Sequence, residues 1–306
     1  MTIKHYFILV SALLAFAACG SDSNGSDNGD NGTTTNNTNS NLSEANAVTH
    51  RMEFPRVKGG SSAIITHYDN GEVNYSVEWD TSIRSCRWSC YVINGTNRKS
   101  GTSRYTVNKD ERYSKQYPTD PDFNNGKAWT AGGGDPFWGS GYDHGHMCPS
   151  ADRLNTRNAN YQTFYLTNMM PQVNGFNAKV WATMETWVRN QVKAGSTTDT
   201  LFVVKGGTID HADQVLPNKV HGMTIPKYYY MAVLMHNKSG YKAMGFWIEH
   251  KANDTTNISP YVVNIDTLEK LTGIDFFCNL PDDIENHIES LPVDNVRRAW
   301  GFSTSN

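Results

Sequence analysis

The chain has 306 residues, of which 38% are hydrophobic, and its formal net charge is −3. This length and composition suit a globular protein with one large domain, and the charge excludes attraction of a polyanion by the molecule as a whole. Of 27 basic residues only Lys4, and of 30 acidic residues only Asp22, Asp27, Asp30 and Glu44, precede residue 48, so the remaining body is formally neutral. Any strong anion-binding surface must therefore be a local basic groove.

The N-terminus has the pattern of an export signal. Lys4 and His5 precede an apolar stretch from Tyr6 to Ala18, which is too short to span a bilayer as a helix. Small residues stand directly before Cys19, as they do in bacterial lipoprotein signals. The sequence thus predicts a signal peptide over residues 1–18 and a lipid anchor on Cys19, which would hold the protein at the outer membrane or cell surface, facing outward or towards the periplasm. An ordinary signal peptide with a chance cysteine is the alternative.

A polar segment follows Cys19. From Gly20 to Asn41 it contains only Gly, Ser, Asp, Asn and Thr. Such a segment buries too little apolar surface to offset the entropy of ordering it. We therefore expect a flexible tether over residues 19–47 and one folded domain over residues 48–306.

Four further cysteines lie in the expected domain: Cys86, Cys90, Cys148 and Cys278. In an exported protein an even number permits two disulfides, with three pairings open, and free buried thiols are the alternative. A thiolate zinc site is disfavoured because Cys86 and Cys90 lack a second closely spaced ligand pair.

Runs of branched and aromatic residues predict the strands, in chain order Ser62–Tyr68, Val73–Trp79, Trp88–Asn94, Tyr161–Thr167, Leu201–Val204, Tyr228–Met235 and Ala243–Ile248. Helices are predicted from Asn177 towards Ala194, over Thr267–Thr272 with Asp266 as N-cap, and after Pro281. Because strands and helices do not alternate regularly, the pattern indicates an α+β fold with a largely antiparallel central sheet flanked by helices.

Two histidines separated by one residue form the first candidate site. His144 and His146 flank Gly145, and Asp143 precedes them. In a strand both imidazoles point to the same face, so a zinc-binding pair is one interpretation. The other is a single catalytic histidine, because a neutral imidazole can take a proton from water near neutral pH. The spacing alone leaves both interpretations open.

A second candidate group lies on the first predicted helix. Asn177, Trp181 and Glu185 recur at every fourth position and would share one helical face. An amide oxygen and a carboxylate are suited to Mg²⁺, which binds hard oxygen ligands and keeps much of its water. The competing interpretation is that Asn177 starts the helix, Trp181 packs in the core and Glu185 faces solvent. For Trp181 we expect the core.

Together these segments resemble the DNA/RNA non-specific endonuclease family. Its pattern is Asp-Arg-Gly-His, then Asn-x-x-Pro-Gln, then Asn-x-x-x-Trp-x-x-x-Glu. This chain has Asp143-His144-Gly145-His146, Asn168-Met169-Met170-Pro171-Gln172, and Asn177, Trp181 and Glu185 in the same order and spacing. The resemblance implies the ββα-metal nuclease fold and a metal-dependent endonuclease that hydrolyses phosphodiester bonds in DNA and RNA and leaves 5′-phosphates.

The resemblance also implies roles for the matching residues. His146 would be the general base that activates water, Asn177 the direct Mg²⁺ ligand, with Mn²⁺ as a substitute, and Glu185 the holder of metal-bound water. The implied substrate contacts are Asp143, His144, Asn168 and Gln172, of which Asn168 would position either the histidine or the phosphate. For an upstream arginine that stabilises transition-state charge, Arg112 is the nearest match and Arg104 the alternative.

One position departs from the family pattern. His144 stands where the pattern has arginine, so a permanently charged fork for phosphate is replaced by a side chain that is mostly neutral at pH 7. We expect a nuclease with a weaker phosphate contact; a preference for mildly acidic conditions and an impaired enzyme are the other outcomes. A different class of function stays open as well, a surface lipoprotein that binds nucleic acid or glycan through exposed aromatic side chains without cutting it.

Overall fold

The branched and aromatic runs of the sequence assemble into a large antiparallel sheet. The computed structural model describes residues 37–107, 115–123 and 134–303. In this part of the chain the strands are β1 Ser62–Asp69, β2 Glu72–Asp80, β3 Ser85–Asn94, β4 Asp143–His146, β5 Met169–Gln172, β6 Thr200–Gly207, β7 Tyr228–Asn237, β8 Gly240–Glu249 and β9 Val262–Val263. Strands β4 and β5 pair with each other, and the rest form one sheet in the order β1-β2-β3-β6-β7-β8-β9. The predicted α+β class with an antiparallel sheet is confirmed.

The strand predictions agree with the sheet except at Tyr161–Thr167. That run instead covers the end of a short helix, α1 Arg157–Gln162, and a 3-10 turn at Leu166–Asn168. The Thr156 side chain accepts a hydrogen bond from the Ala159 amide and so starts the helix. The prediction of a strand was wrong because a short apolar run packs equally well in a capped helical turn.

The other helices are α2 Ala182–Arg189, α3 Ile265–Thr272, α4 Asp282–Glu289 and α5 Val293–Ala299. Helix α3 ends at Gly273 in the left-handed conformation, as predicted, but its N-cap is Asn264 and not Asp266. The predicted helix from Asn177 exists, but it opens with a π-helical turn over Phe176–Trp181. Helix α5 had no counterpart among the predictions.

Alternate side chains of β7 pack on opposite faces of the large sheet. Tyr229, Met231 and Val233 belong to one apolar cluster, which also contains Trp181 and Met184 of the π-turn and α2. Tyr230, Ala232 and Leu234 belong to a second cluster, together with Ile265 and Leu268 of α3 and Ile288 of α4. The period of two along the strand thus builds a layer on each face, and Trp181 is a core residue, as expected.

The polar segment before residue 48 packs on the domain where the structure describes it. Asn41 is fully buried, and its Nδ2 donates to the carbonyl oxygens of Thr49, at 3.2 Å, and Pro55, at 2.9 Å. Asn37 Nδ2 donates to the Leu280 carbonyl at 2.6 Å. The expected tether over residues 19–47 is therefore corrected, because residues 37–47 dock through amide hydrogen bonds and not through apolar burial. The predicted signal peptide and Cys19 lie outside the described residues.

The four described cysteines are all free and buried. The alternative of buried thiols therefore applies, and burial raises the pKa of the Cys148 thiol to about 12, so it is uncharged at neutral pH. Within the described ranges, no helix is both long and apolar enough to cross a membrane.

Candidate active site

The histidine motif lies on β4, paired in antiparallel register with β5. Asp143 is opposite Gln172, and Gly145 is opposite Met170. A Cβ atom at Gly145 would lie 2.4 Å from Cδ of Gln172, so only glycine fits at this position. The side chain of Gln172 is fully buried and does not line the cavity that lies beside β4 and β5. The implied substrate contact of Gln172 is therefore not supported, and its place in the structure accounts for the glycine of the motif.

A cavity of about 390 Å³ opens beside the two-stranded sheet of β4 and β5. Its walls bring together residues from four separate segments of the chain, among them Arg104, Asp143, His144, His146, Asn177 and Glu185. Strand β4 supplies the histidines, the π-helical turn supplies the asparagine, and α2 supplies the glutamate. The histidine motif and the block from Asn177 to Glu185, which were predicted to act together, thus meet at one site.

The hydrogen bonds of His146 determine which form of its imidazole is present. Nδ1 lies 3.3 Å from the carbonyl oxygen of His144, to which it donates. Nε2 is buried and has no hydrogen-bond partner among the described residues. Burial, with a further contribution from the positive charge of Arg104, holds the pKa of His146 well below 6.5. The ring is therefore neutral near pH 7, with a lone pair on Nε2.

Asp143 holds the amide of Asn177. Its Oδ2 accepts hydrogen bonds from Nδ2 of Asn177 at 3.0 Å and from Nδ2 of Asn174 at 2.9 Å. Because Nδ2 of Asn177 is used in this way, Oδ1 is the amide atom that is left to bind a ligand. Asp143 lines the cavity, but its carboxylate orients Asn177 and would repel a phosphate.

Glu185 is paired with a lysine that the sequence analysis did not single out. Nζ of Lys205 donates to Oε1 of Glu185 and lies 3.5 Å from the carbonyl oxygen of His146. Lys205 is 1% exposed and stands 5.0 Å from the ring centre of Trp181. A lysine directly after the apolar run Leu201–Val204 was the feature that could have revealed it, because charged residues are rarely buried without a partner.

His144 is enclosed by an aspartate and two aromatic rings. Nε2 donates to Asp135, at 2.9 Å from Oδ2 and 3.1 Å from Oδ1. The imidazole stacks on Tyr117 at a centroid distance of 3.5 Å and on Phe137 at 4.4 Å. Burial raises the pKa of Asp135, but the hydrogen bond and charge of His144 and the Phe137 amide together outweigh it, so the net shift of the pKa is downward. In the part of the chain that the structure describes, neither His144 nor His146 belongs to a group of three possible metal ligands. The structure therefore does not favour the interpretation of a zinc-binding pair.

Asn168 is a buried support for the segment after His146. Its Nδ2 donates to the carbonyl oxygens of Cys148 at 2.9 Å and Thr163 at 2.8 Å, and its Oδ1 accepts from the Cys148 amide at 2.8 Å. The side chain is fully buried and does not line the cavity. Of the two implied roles, positioning of the histidine segment agrees with these contacts and contact with the phosphate does not.

The two candidate arginines have different outcomes. Arg112 lies outside the described residues. Arg104 lines the cavity, and its guanidinium carbon stands 4.8 Å from the ring centre of Phe164. The same ring packs edge-on against His146 at 5.0 Å. Arg104 is therefore the arginine that the structure brings to the histidine.

A separate group that could hold a metal ion was missed by the sequence analysis. It consists of His67, Asp120 and Asp122. Nε2 of His67 is 3.1 Å from Oδ2 of Asp120, and Nδ1 is 3.1 Å from Oδ2 of Asp122. These residues do not line the cavity, so this group is separate from the histidine motif.

Known nucleases share much of this sequence. The profile of the DNA/RNA non-specific endonuclease family matches residues 59–283. A nuclease of Nostoc sp. is 36% identical over 168 residues, which span 52% of this chain and 58% of that protein. Nuclease C1 of Cunninghamella echinulata is 32% identical over 218 residues, 68% of this chain and 81% of that protein. The nuclease of Serratia marcescens is 24% identical over 76% of this chain and 82% of that protein.

A solved structure shares the fold. The EndoG/EndoGI complex contains a chain that matches with a TM-score of 0.54 and 20% sequence identity, covering 72% of this chain and 88% of that one. The family match over residues 59–283 includes β4, β5, the π-helical turn and α2. It spans well over half of the sequence, and the chain therefore belongs to the DNA/RNA non-specific endonuclease family.

Proposed function

We propose that this protein is a metal-dependent, sugar-non-specific endonuclease that hydrolyses phosphodiester bonds in DNA and RNA and leaves 5′-phosphates. His146 is the general base, and Mg²⁺ is held by Asn177. The observation that carries the proposal is Nε2 of the neutral His146 imidazole, which lies in the wall of the cavity and has no hydrogen-bond partner among the described residues.

The base step follows from the hydrogen bonds of His146. Its Nδ1 proton is committed to the His144 carbonyl, so Nε2 is the atom that accepts a proton from water. The water oxygen forms a bond to phosphorus, the bond from phosphorus to the 3′ oxygen breaks, and the leaving oxygen takes up a proton. Because burial and Arg104 lower the pKa of His146, the proton received by Nε2 is released readily and the base is regenerated.

The residues around Asn177 fit a hard cation. Oδ1 of Asn177 and the carboxylate of Glu185 line one cavity, and oxygen ligands suit Mg²⁺ or Mn²⁺. When bound, such an ion neutralises charge on the phosphate and stabilises the departing 3′ oxygen. Asp143 keeps the amide of Asn177 oriented, and Lys205 keeps the Glu185 carboxylate in place, where it could accept hydrogen bonds from the water molecules of such an ion.

Arg104 supplies the permanent positive charge for the scissile phosphate. Its guanidinium is charged at all relevant pH values and can bind two phosphate oxygens at once. His144, which stands at the arginine position of the family pattern, is already bonded to Asp135. The phosphate contact thus shifts from the histidine motif to Arg104.

The protein is further proposed to be exported and anchored by a lipid on Cys19, at the outer membrane or cell surface. The support is the order of a short basic start, an apolar stretch and small residues before Cys19. Fractionation of cells that produce the wild type and Cys19→Ser tests this. We expect the wild type in the membrane fraction and the variant in the soluble fraction; an unchanged distribution would contradict the anchor.

The nuclease proposal is tested with plasmid DNA and with RNA, in Mg²⁺, in Mn²⁺ and in chelator. We expect both substrates to be cut only with metal, and His146→Ala to lower the rate by about 10²- to 10⁴-fold, as loss of a general base does. The matched control is His287→Ala, which removes an exposed histidine of α4. Binding of both substrates without cutting under every metal would support a binding lipoprotein instead.

A further inference from the structure

A group of carboxylates lies between α3 and α4, away from the active-site cavity. Asp266 and Glu269 are one turn apart on α3, and Glu289 is the last residue of α4. One carboxylate oxygen of each lies within 4.8 Å of the others. Both helices pack in the apolar cluster that does not contain the π-turn and α2. This group is therefore separate from the proposed nuclease site.

Glu289 is the least favourable member of the group when it carries a charge. Its side chain is only 4% exposed. Oε1 is buried and has no hydrogen-bond partner within the described ranges. A buried carboxylate in this state is unfavourable unless it is neutral or lies beside a cation. The surroundings of Glu289 would therefore favour a bound cation.

Among the residues that the structure describes, the charged groups with the largest effect on Glu289 are acidic and not basic. They are Glu269, Glu285, Asp275 and Asp266. Burial first, and then these charges, raise the pKa of Glu289 to about 10, and similar causes raise the pKa of Glu269 to about 8.

The neighbouring carboxylates show how the chain satisfies such groups elsewhere. Nδ2 of Asn39 donates to Oε1 of Glu285 at 2.9 Å and to Oδ2 of Asp275 at 3.1 Å. Glu269 has one such donor, the backbone amide of Phe276 at 2.8 Å. Among the described residues, Oε1 of Glu289 has no hydrogen-bond donor, so this is the oxygen atom that a bound cation would contact.

We propose that Asp266, Glu269 and Glu289 bind a Ca²⁺ ion that ties α3 to α4. A ligand set made only of oxygen atoms selects a hard cation. Ca²⁺ accepts flexible geometry with six to eight oxygen ligands at about 2.4 Å, which suits carboxylates that come from two separate helices. Mg²⁺ requires a nearly regular octahedron with oxygen atoms at about 2.1 Å and is less often held by protein ligands alone. Waters complete the Ca²⁺ coordination.

The test is thermal unfolding of the full chain in chelator, in Ca²⁺ and in Mg²⁺, with Ca²⁺ binding measured by titration calorimetry. We expect saturating Ca²⁺ to raise Tm by roughly 5 °C, because a ligand that binds only the folded state stabilises it. Asn177→Ala should keep this rise, since the proposed nuclease metal is elsewhere. Glu289→Gln should abolish both the rise and the binding. The exposed Asp283→Asn on α4 is the charge-matched control and should behave as the wild type.

Two results would overturn the proposal. One is a Tm that Ca²⁺ does not change in the wild type, which would mean that the carboxyl groups are satisfied by protonation. The other is a Ca²⁺ response that Asn177→Ala removes and Glu289→Gln keeps, which would place the ion in the nuclease cavity. If Glu289→Gln does not fold, the less buried Asp266→Asn provides the same comparison.

Discussion

At the scale of single residues, the site depends on which atoms are already committed to hydrogen bonds. His146 donates with Nδ1, Asn177 donates with Nδ2, and His144 donates with Nε2 to Asp135. What each side chain can still do follows from the atom that is left. His146 keeps a lone pair and Asn177 an oxygen, whereas His144 is already bonded to a carboxylate.

The pH dependence of cleavage should reflect the lowered pKa of His146. A base must be unprotonated to act, so activity should persist as pH falls below 6.5 and decline only at the lower pKa of the buried ring. The acid limb of kcat/KM against pH should therefore have its midpoint below 6.5. In Arg104→Gln that midpoint should rise, because a positive neighbour disfavours the imidazolium. A midpoint above 6.5 in the wild type would argue against the neutral, buried base.

Restoring the family arginine should have little effect while Asp135 is present. In His144→Arg the new guanidinium would pair with Asp135, which already binds the histidine. We expect KM for plasmid DNA to change by less than about threefold, since a paired charge adds little attraction for phosphate. The double variant His144→Arg, Asp135→Asn frees that charge and should lower KM further than either single change. Equal KM values in all variants would show that this position does not contact substrate.

At the scale of elements, the candidate active site is formed by the two-stranded sheet of β4 and β5 and by the π-helical turn before α2. The β4–β5 pairing determines where His146 stands, and the π-turn before α2 presents Asn177 to the cavity while Trp181 stays fully buried. An uninterrupted α-helix would place residues four apart on nearly the same face. A π-turn widens the helix locally and is frequent at functional sites.

Because β4 pairs closely with β5, we expect replacement of Gly145 to destabilise the protein. In Gly145→Ala the new methyl group would overlap the side chain of Gln172, which is fully buried and has little room to move. Overpacking of this kind costs about 1–3 kcal/mol of unfolding free energy. Urea unfolding of Gly145→Ala should show that loss, and the double variant Gly145→Ala, Gln172→Ala should recover much of it. Absence of any recovery would mean that the glycine is needed for another reason.

At the scale of the whole molecule, the polar N-terminal segment belongs partly to the folded body. Asn41 and Asn37 donate to carbonyl groups that lie far apart in the sequence, up to residue 280. The family match begins only at residue 59. The docked segment therefore extends the domain towards the N-terminus, and Asn39 is bonded to α4 through Glu285.

Loss of the buried amide of Asn41 should destabilise the protein. In Asn41→Ala the Pro55 carbonyl loses its donor, whereas the Thr49 carbonyl keeps the amide of Asn279. An unpaired buried group costs about 1–3 kcal/mol. Leu42→Ala is the neighbouring control, since Leu42 is 62% exposed and should matter little. Urea unfolding compares the two variants with the wild type. If both variants matched the wild type, the segment would contribute nothing to the stability of the domain.

Most of the strands and helices, and the family, can be predicted from the sequence, because strand and helix patterns depend on neighbouring residues. The run Tyr161–Thr167 and helix α5 are exceptions. The motif Asp143-His144-Gly145-His146 and the spacing from Asn177 to Glu185 are local in the same way. The partners of these residues, in contrast, depend on the tertiary structure. Asp135 at His144, Lys205 at Glu185 and Gln172 over Gly145 are contacts across the fold. Hydrogen bonding and burial depend on such contacts, and they determine which nitrogen of His146 is free and how far its pKa falls.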